Sequence, residues 1–153
     1  VYYILIKILH ILSAALLITG MGYSYHLWRH TRSPRDGAIR NEHIQTLTWL
    51  IILPLAIIQF VTGFLMISLK NEALSQTWII GSILGFVIAI GGWISFIYSL
   101  LLSQQVEIRD NAAQPVRPWG ERRLYYRRVQ SLLLTVCALA MLVMIFLMAN
   151  KVA

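Results

Sequence analysis

Four runs of apolar residues limit what this chain can fold into. They are Tyr2 to about Trp28, about Ile44 to Leu69, about Trp78 to Leu102, and about Val129 to Ala149. A helix needs about 20 mostly apolar residues to cross the hydrocarbon core of a bilayer, and every run is long enough. Lipid offers no partner to an open sheet edge, so the spans are expected to be helices. Composition agrees: of 153 residues, 58% are hydrophobic and only 12% are charged, against about a quarter charged in a soluble domain. The expected fold class is all-α. It is an integral membrane four-helix bundle, up-down-up-down, forming a single domain over residues 1–153, because short connections favour antiparallel neighbours. The first run is too long, and too polar at its end, for a cleaved signal peptide. The single cysteine, Cys137, has no partner for an intrachain disulfide.

Charge then gives the spans a direction. The segment Arg29 to His43 holds Arg29, Arg32, Arg35 and Arg40, and the segment Ser103 to Arg128 holds Arg109, Arg117, Arg122, Arg123, Arg127 and Arg128. Together these are ten of the thirteen basic residues, while Lys7, Lys70 and Lys151 lie near the opposite ends of the spans. The positive-inside rule places the two basic segments in the cytoplasm and both termini on the non-cytoplasmic side. It also explains the net charge of +7 without a nucleic-acid partner. The expected location is a bacterial inner membrane, crossed several times. Tyr2, Tyr3, Trp28, Trp78, Tyr98, Tyr125 and Tyr126 fall near span ends, as interfacial aromatics do. Ser33-Pro34-Arg35-Asp36-Gly37 carries a turn signal in the first basic segment, and Pro115, Pro118 and Gly120 interrupt the other.

Ionisable residues inside a span are costly and mark candidate sites. His10 is the sharpest. Its helix face continues through Ser13, Ala14, Leu17, Gly20, Met21 and Ser24. Small residues there admit a neighbouring helix or a flat macrocycle. Lys7 lies one turn outward on the same face. An imidazole with a cation nearer the surface suits a haem, with His10 as axial ligand to the iron and Lys7 at a propionate. The plainer alternative is that His10 hydrogen-bonds a neighbouring helix while Lys7 reaches for the interface. At about 1.5 Å rise per residue, Gln59 and Met141 come out level with His10, and Met144 lies slightly further out. Gln59 is expected to fix the tautomer of His10 as a partner behind the ligand, and Met141 or Met144 is a candidate for the second axial position.

At the other end His26 and His30 are four apart, and His43 opens the next span. Three imidazoles suit zinc or copper, although histidines among arginines are more simply an interfacial cluster. Pro54 should kink the second span; Gln59, Thr62 and Gly63 follow it. Gly81, Gly85, Gly91 and Gly92 line the third span, Gly81 and Gly85 forming a small-xxx-small pair for close helix contact. All six acids lie in loops or at span ends, which argues against a proton-driven transporter. Phosphate-cradling glycine loops and nucleophile–base pairs are absent.

The run Ile6-Lys7-Ile8-Leu9-His10-Ile11, followed by Gly20, Tyr23, Leu27 and His30, resembles the first helix of HemJ-type protoporphyrinogen oxidases. Pro54 and Gly63 resemble the spacing in their second helix. Over all four spans the chain is similar to a bacterial integral membrane family catalogued as a domain of unknown function. That similarity includes Trp78, Gly92-Trp93, and Tyr125-Tyr126-Arg127-Arg128 leading to Met144-Ile145-Phe146-Leu147-Met148 and Lys151. The HemJ resemblance implies haem b held by His10 and electrons passed from a porphyrin toward quinone, hence an oxidoreductase. One departure bears on that activity: the HemJ pattern carries a lysine in its third helix, where this chain reads Ile80-Gly81-Ser82-Ile83. The sequence leaves two function classes open. One is a haem-b-associated protein handling electrons or porphyrin through His10, Lys7, Gln59 and Met141. The other is a small accessory subunit, without a cofactor of its own, in a homo-oligomer or larger membrane complex.

Overall fold

The computed structural model describes residues 1–30, 34–71, 76–112 and 120–150, with side chains at 1–30, 39–71, 76–105 and 124–149. Among them are helices α1 (Tyr2–His30), α2 (Pro34–Leu47), α3 (Leu53–Lys70), α4 (Thr77–Ala112) and α5 (Gly120–Asn150), with no strand. A single π-helical turn, Thr48–Ile52, joins α2 to α3. Four helical stretches are long and apolar enough to cross a membrane: Tyr2–His30, Ile39–Lys70, Thr77–Gln105 and Leu124–Ala149. The all-α class and the four spans expected from the sequence are therefore present.

The helices run further than apolarity alone suggests. The first basic segment is not simply a loop, because α1 continues to His30 and α2 begins at Pro34. Proline suits the first turn of a helix, where its missing N–H would have no partner. Likewise α4 continues past Leu102 to Ala112, and α5 begins at Gly120. Hydropathy marks where a helix leaves lipid, not where it ends. The turn expected over Ser33-Pro34-Arg35-Asp36-Gly37 is helical from Pro34 onward; Ser33, Pro115 and Pro118 lie outside the described residues.

The chain divides into two compact units, Val1–Gln76 and Thr77–Ala153. In the first, α1 packs antiparallel to the α2–α3 span. The buried stripe of α1 is Ser13, Leu17, Met21, Ser24 and Trp28. Opposite it lie Asn41, Ile44, Thr48, Ile52, Ala56, Gln59 and Thr62, spaced by threes and fours along one helix face. Trp28, expected at the interface, is turned inward instead, with 7% of its surface exposed. A Cβ on Gly20 would meet Ile52 Cγ1 at 3.4 Å, so α1 approaches the π-turn closely there. Near the termini of this unit, Lys70 Nζ sits 5.3 Å from the centre of the Tyr3 ring, a cation–π contact across the hairpin. Asn71 ends α3 in the left-handed region, with φ 51°, a conformation asparagine tolerates better than most residues.

Pro54 explains the π-turn. It has no N–H to offer the Leu50 carbonyl, and its ring crowds that carbonyl. The helix responds by widening: the Leu53 N–H reaches back five residues to Thr48 O, the π-helical pattern. The expected mid-span distortion is thus one wide turn.

In the second unit α4 and α5 meet along Ile79, Ser82, Gly85, Ala89, Trp93, Phe96 and Leu100 on one side and Gln130, Leu134, Cys137 and Met141 on the other. Lipid is as apolar as leucine, so close packing of small residues drives such contacts. A Cβ on Gly92 would lie 2.8 Å from Cys137 Sγ, and one on Gly81 would lie 2.5 Å from Leu147 Cδ1. Gly85 faces the Ala140 carbonyl and Met144 Cβ. Gly91 differs from these three, since nothing lies within 4 Å of its added Cβ. The Cys137 thiol donates to Ala89 O at 3.3 Å, so this cysteine is a packing residue between the two helices.

Two alanine substitutions one residue apart separate packing from helix propensity. Gly92→Ala must displace Cys137 and is expected to destabilise the second unit by about 1–3 kcal/mol, as overpacking does. Gly91→Ala meets open space and should leave stability unchanged or slightly raised. Thermal unfolding of the detergent-solubilised protein checks both; equal effects would refute the close approach at Gly92.

Candidate functional site

The polar residues of the first unit converge on one place. His10 on α1 meets Gln59 and Thr62 on α3, and Ser13 joins them from one turn along α1. Helical periodicity explains the grouping, since His10 and Ser13 are three apart, as are Gln59 and Thr62, and such pairs share a face. Ser13, Gln59 and Thr62 are buried, with exposures of 2%, 6% and 4%, and His10 is half-buried.

The hydrogen bonds form a directed chain. The single proton of Thr62 goes to its own helix, Oγ1 donating to Ile58 O at 2.7 Å. Its oxygen is then an acceptor for His10 Nδ1–H, 2.8 Å away. A neutral imidazole protonated at Nδ1 bears a lone pair at Nε2. The Gln59 amide nitrogen donates to it across 2.9 Å. Gln59 Oε1 in turn accepts from the Ser13 hydroxyl at 2.6 Å. Ser13 Oγ also lies 3.0 Å from the His10 carbonyl. Among the described residues no buried side-chain nitrogen or oxygen lacks a partner. Water cannot supply partners in lipid, so this closed set is what allows a histidine to sit inside the span.

Gly63 completes the site. A Cβ there would lie 3.2 Å from His10 Cε1, so the imidazole rests against the α3 backbone where a side chain would stand. The sequence placed Gln59 level with His10 and Ser13 on the same face, and the structure brings all three together. Thr62 and Gly63 had read as packing residues. Their signal was their spacing of three and four from Gln59, which becomes informative only once the partner helix is known.

The other expected residues make none of these hydrogen bonds. Lys7 is exposed one turn toward the N-terminus and makes no hydrogen bond or ion pair among the described residues. Met141 belongs to the second unit, buried in the stripe of α5 that faces α4. At the basic end of the first unit the His26 and His30 rings stack at 4.1 Å, and His30 Nδ1 lies 3.1 Å from the His26 carbonyl. Among the described residues no three of His, Cys, Asp or Glu converge to hold a metal ion, so His26, His30 and His43 do not form a zinc or copper site here.

An axial haem ligand needs a neutral imidazole with a free Nε2 and a fixed ring. Thr62 supplies the tautomer and the fixed ring. Gln59 fills the Nε2 position, and the ring lies closed against Gly63. The donor chemistry fits one axial ligand, on condition that Gln59 turns away.

A family model for predicted integral membrane proteins, described as domain of unknown function 2269, matches residues 4–152. The chain belongs to this family. No curated protein and no solved structure matches it. The family description extends to membrane integration and leaves the chemistry of the His10 network unassigned.

The network is testable by a double-mutant cycle. Gln59→Leu strands Nε2 of a half-buried imidazole, and His10→Phe strands the Gln59 amide. The pair should show a coupling of about 0.6–1.7 kcal/mol, the range for interhelical hydrogen bonds in membranes. Unfolding titrations in mixed micelles measure it, and additive losses would exclude the bond.

Proposed function

We propose that this protein is a haem-b-associated membrane protein that handles electrons or porphyrin, with His10 as the axial ligand. The observation that carries this reading is that His10 Nδ1 lies 2.8 Å from Thr62 Oγ1, whose own proton is directed to Ile58 O. An Nδ1–H donated to Thr62 leaves the lone pair on Nε2, as a metal ligand requires. The resemblance of Ile6-Lys7-Ile8-Leu9-His10-Ile11 to the first HemJ helix supports the same assignment. Haem b would supply one-electron chemistry. The chain's own part is to orient the imidazole through Thr62, to receive its ring against Gly63, and to offer Lys7 as a cation nearer the interface. Gln59 is a neutral donor that keeps Nε2 satisfied until a stronger partner displaces it. The electron acceptor would be of the quinone class.

A second reading rests on a specific observation of its own. Both imidazole nitrogens already have partners, 2.8 and 2.9 Å away. In that reading the network only fastens α1 to α3, and the protein is a small accessory subunit of a larger membrane complex with no cofactor of its own.

Absorption spectra, oxidised and dithionite-reduced, separate the two. Protein expressed with ample haem is expected to show a Soret band. His10→Ala should abolish it. Gln59→Ala should strengthen haem retention, because it vacates Nε2. A spectrum without a Soret band rejects the haem reading and leaves the subunit reading, and full haem content in His10→Ala rejects His10 as ligand.

The clustering of ten basic residues in two segments supports a bacterial inner membrane location with both termini outside. Alkaline phosphatase fused after Ala153 should therefore be active, and an inactive, stably expressed fusion would reverse the orientation.

A further inference from the structure

Both hydroxyls of the His10 network stand beside more than one partner. Ser13 Oγ lies 2.6 Å from Gln59 Oε1 and 3.0 Å from the His10 carbonyl. Thr62 Oγ1 lies 2.7 Å from Ile58 O, 3.2 Å from Gln59 O and 2.8 Å from His10 Nδ1. A hydroxyl has one proton, which rotates to suit its surroundings. Between the two hydroxyls stand an imidazole and an amide. Each can exchange donor for acceptor in place, the first by changing tautomer and the second by a half-turn about its terminal bond.

The same heavy atoms therefore admit two complete distributions of protons. In the first, His10 Nδ1–H donates to Thr62, whose own proton goes to Ile58 O; the Gln59 amide nitrogen donates to His10 Nε2, and Ser13 donates to Gln59 Oε1. In the second, every bond between the helices is reversed. Thr62 donates to His10 Nδ1, Nε2–H donates to Gln59 Oε1, and the turned Gln59 amide donates to Ser13 Oγ. The Ser13 proton then goes to the His10 carbonyl, already within reach at 3.0 Å. Both distributions make the same number of hydrogen bonds. The 2.6 Å between Ser13 and Gln59 is an O–H···O length and must open by about 0.1 Å for N–H···O, so the geometry is that of the first.

We infer that the network is a two-position switch, in which the orientation of the Gln59 amide sets which nitrogen of His10 carries the proton. In the first position the lone pair is on Nε2, and a metal can take it once the amide swings aside. In the second Nε2 carries a proton and cannot ligate. The exchange leaves the ring neutral: one proton is gained at Nε2 and one lost from Nδ1, passed through water at the half-buried ring. As regulation of a haem site the switch rests on the reading proposed above. The exchange itself belongs to the four side chains and is measured without haem.

The test is magic-angle-spinning NMR of the haem-free full chain in lipid bilayers, with isotope-labelled histidine. Protonated and bare ring nitrogens resonate apart, and His10→Phe identifies the His10 signals by their loss. Nδ1–H is expected as the major form with Nε2–H about one fifth as populated, since the two differ by about the net worth of one hydrogen bond; fast exchange would give one averaged shift of the same weight. Thr62→Val strands the Nδ1–H of the first form but only bares a lone pair in the second. A buried N–H without a partner is the rarer defect, so Nε2–H should rise at least about threefold. Ser13→Ala strands a Gln59 N–H in the second form but only bares Oε1 in the first, so Nε2–H should fall at least about threefold. A static hydrogen-bonded contact predicts no such opposed pair. In the unaltered chain, an Nε2–H share below about one twentieth, well under one bond's worth, overturns the switch, and so does a ring protonated at both nitrogens. Variants that shift the ratio in the same direction, or leave it unmoved, overturn it too. None of these results bears on the Soret band, so the switch and the haem reading fail separately.

Discussion

Lipid gives a polar group no partner, and every level of this structure answers to that constraint. The backbone answers it by being helical wherever it spans. Hydroxyls answer it locally: Thr19, Ser24, Thr48, Ser82 and Ser95 each donate to the carbonyl four residues back. Such bonds make a serine or threonine nearly silent inside a span. His10 and Gln59 have no comparable local solution. An imidazole has two nitrogens on opposite sides of a ring, and an amide has donors and an acceptor. Both are satisfied only by reaching another helix.

The two units solve helix association differently for that reason. Between α4 and α5 the buried stripe holds no histidine, acid, lysine or arginine among the described residues, and contact comes largely from missing side chains at Gly81, Gly85 and Gly92. Between α1 and α3 the contact is made by hydrogen bonds, and Gly63 serves the ring of His10 rather than a backbone approach. A packing contact tolerates small lateral slips, because dispersion falls off gradually. A chain from Ser13 through Gln59 and His10 to Thr62 does not, since each bond has a length and direction. The polar contact therefore fixes register as well as proximity.

Much of this was legible in the sequence, and the missing parts have physical causes. Span number and helical class follow from run length, because lipid permits few alternatives. The helices extend past the apolar runs, α1 to His30 and α4 to Ala112: a helix continues beyond an apolar run whenever its residues allow, and hydropathy does not report that. The level of Gln59 with His10 followed from counting rise per residue along antiparallel spans. Thr62 was missed as a partner because depth alone does not fix rotation. Met141 shares a counted depth with His10, yet depth does not choose a neighbour, and the structure shows it facing α4. The three histidines at the basic end share a depth too, but His26 and His30 stack on each other rather than converging with His43.

Pro54 ties these observations together. Its missing N–H sits between the π-turn and the polar network, five residues before Gln59. On the N-terminal side Leu50 and Ile51 of the wide turn are exposed. On the other side regular α-helix resumes at Leu53, early enough for Gln59 and Thr62 to stand one turn apart at His10. A proline placed four residues later would put the distortion in the network itself, where the directions of four hydrogen bonds would be lost. The irregularity is therefore confined to a stretch of mostly apolar side chains, where the Thr48 hydroxyl is satisfied within its own helix by Ile44 O.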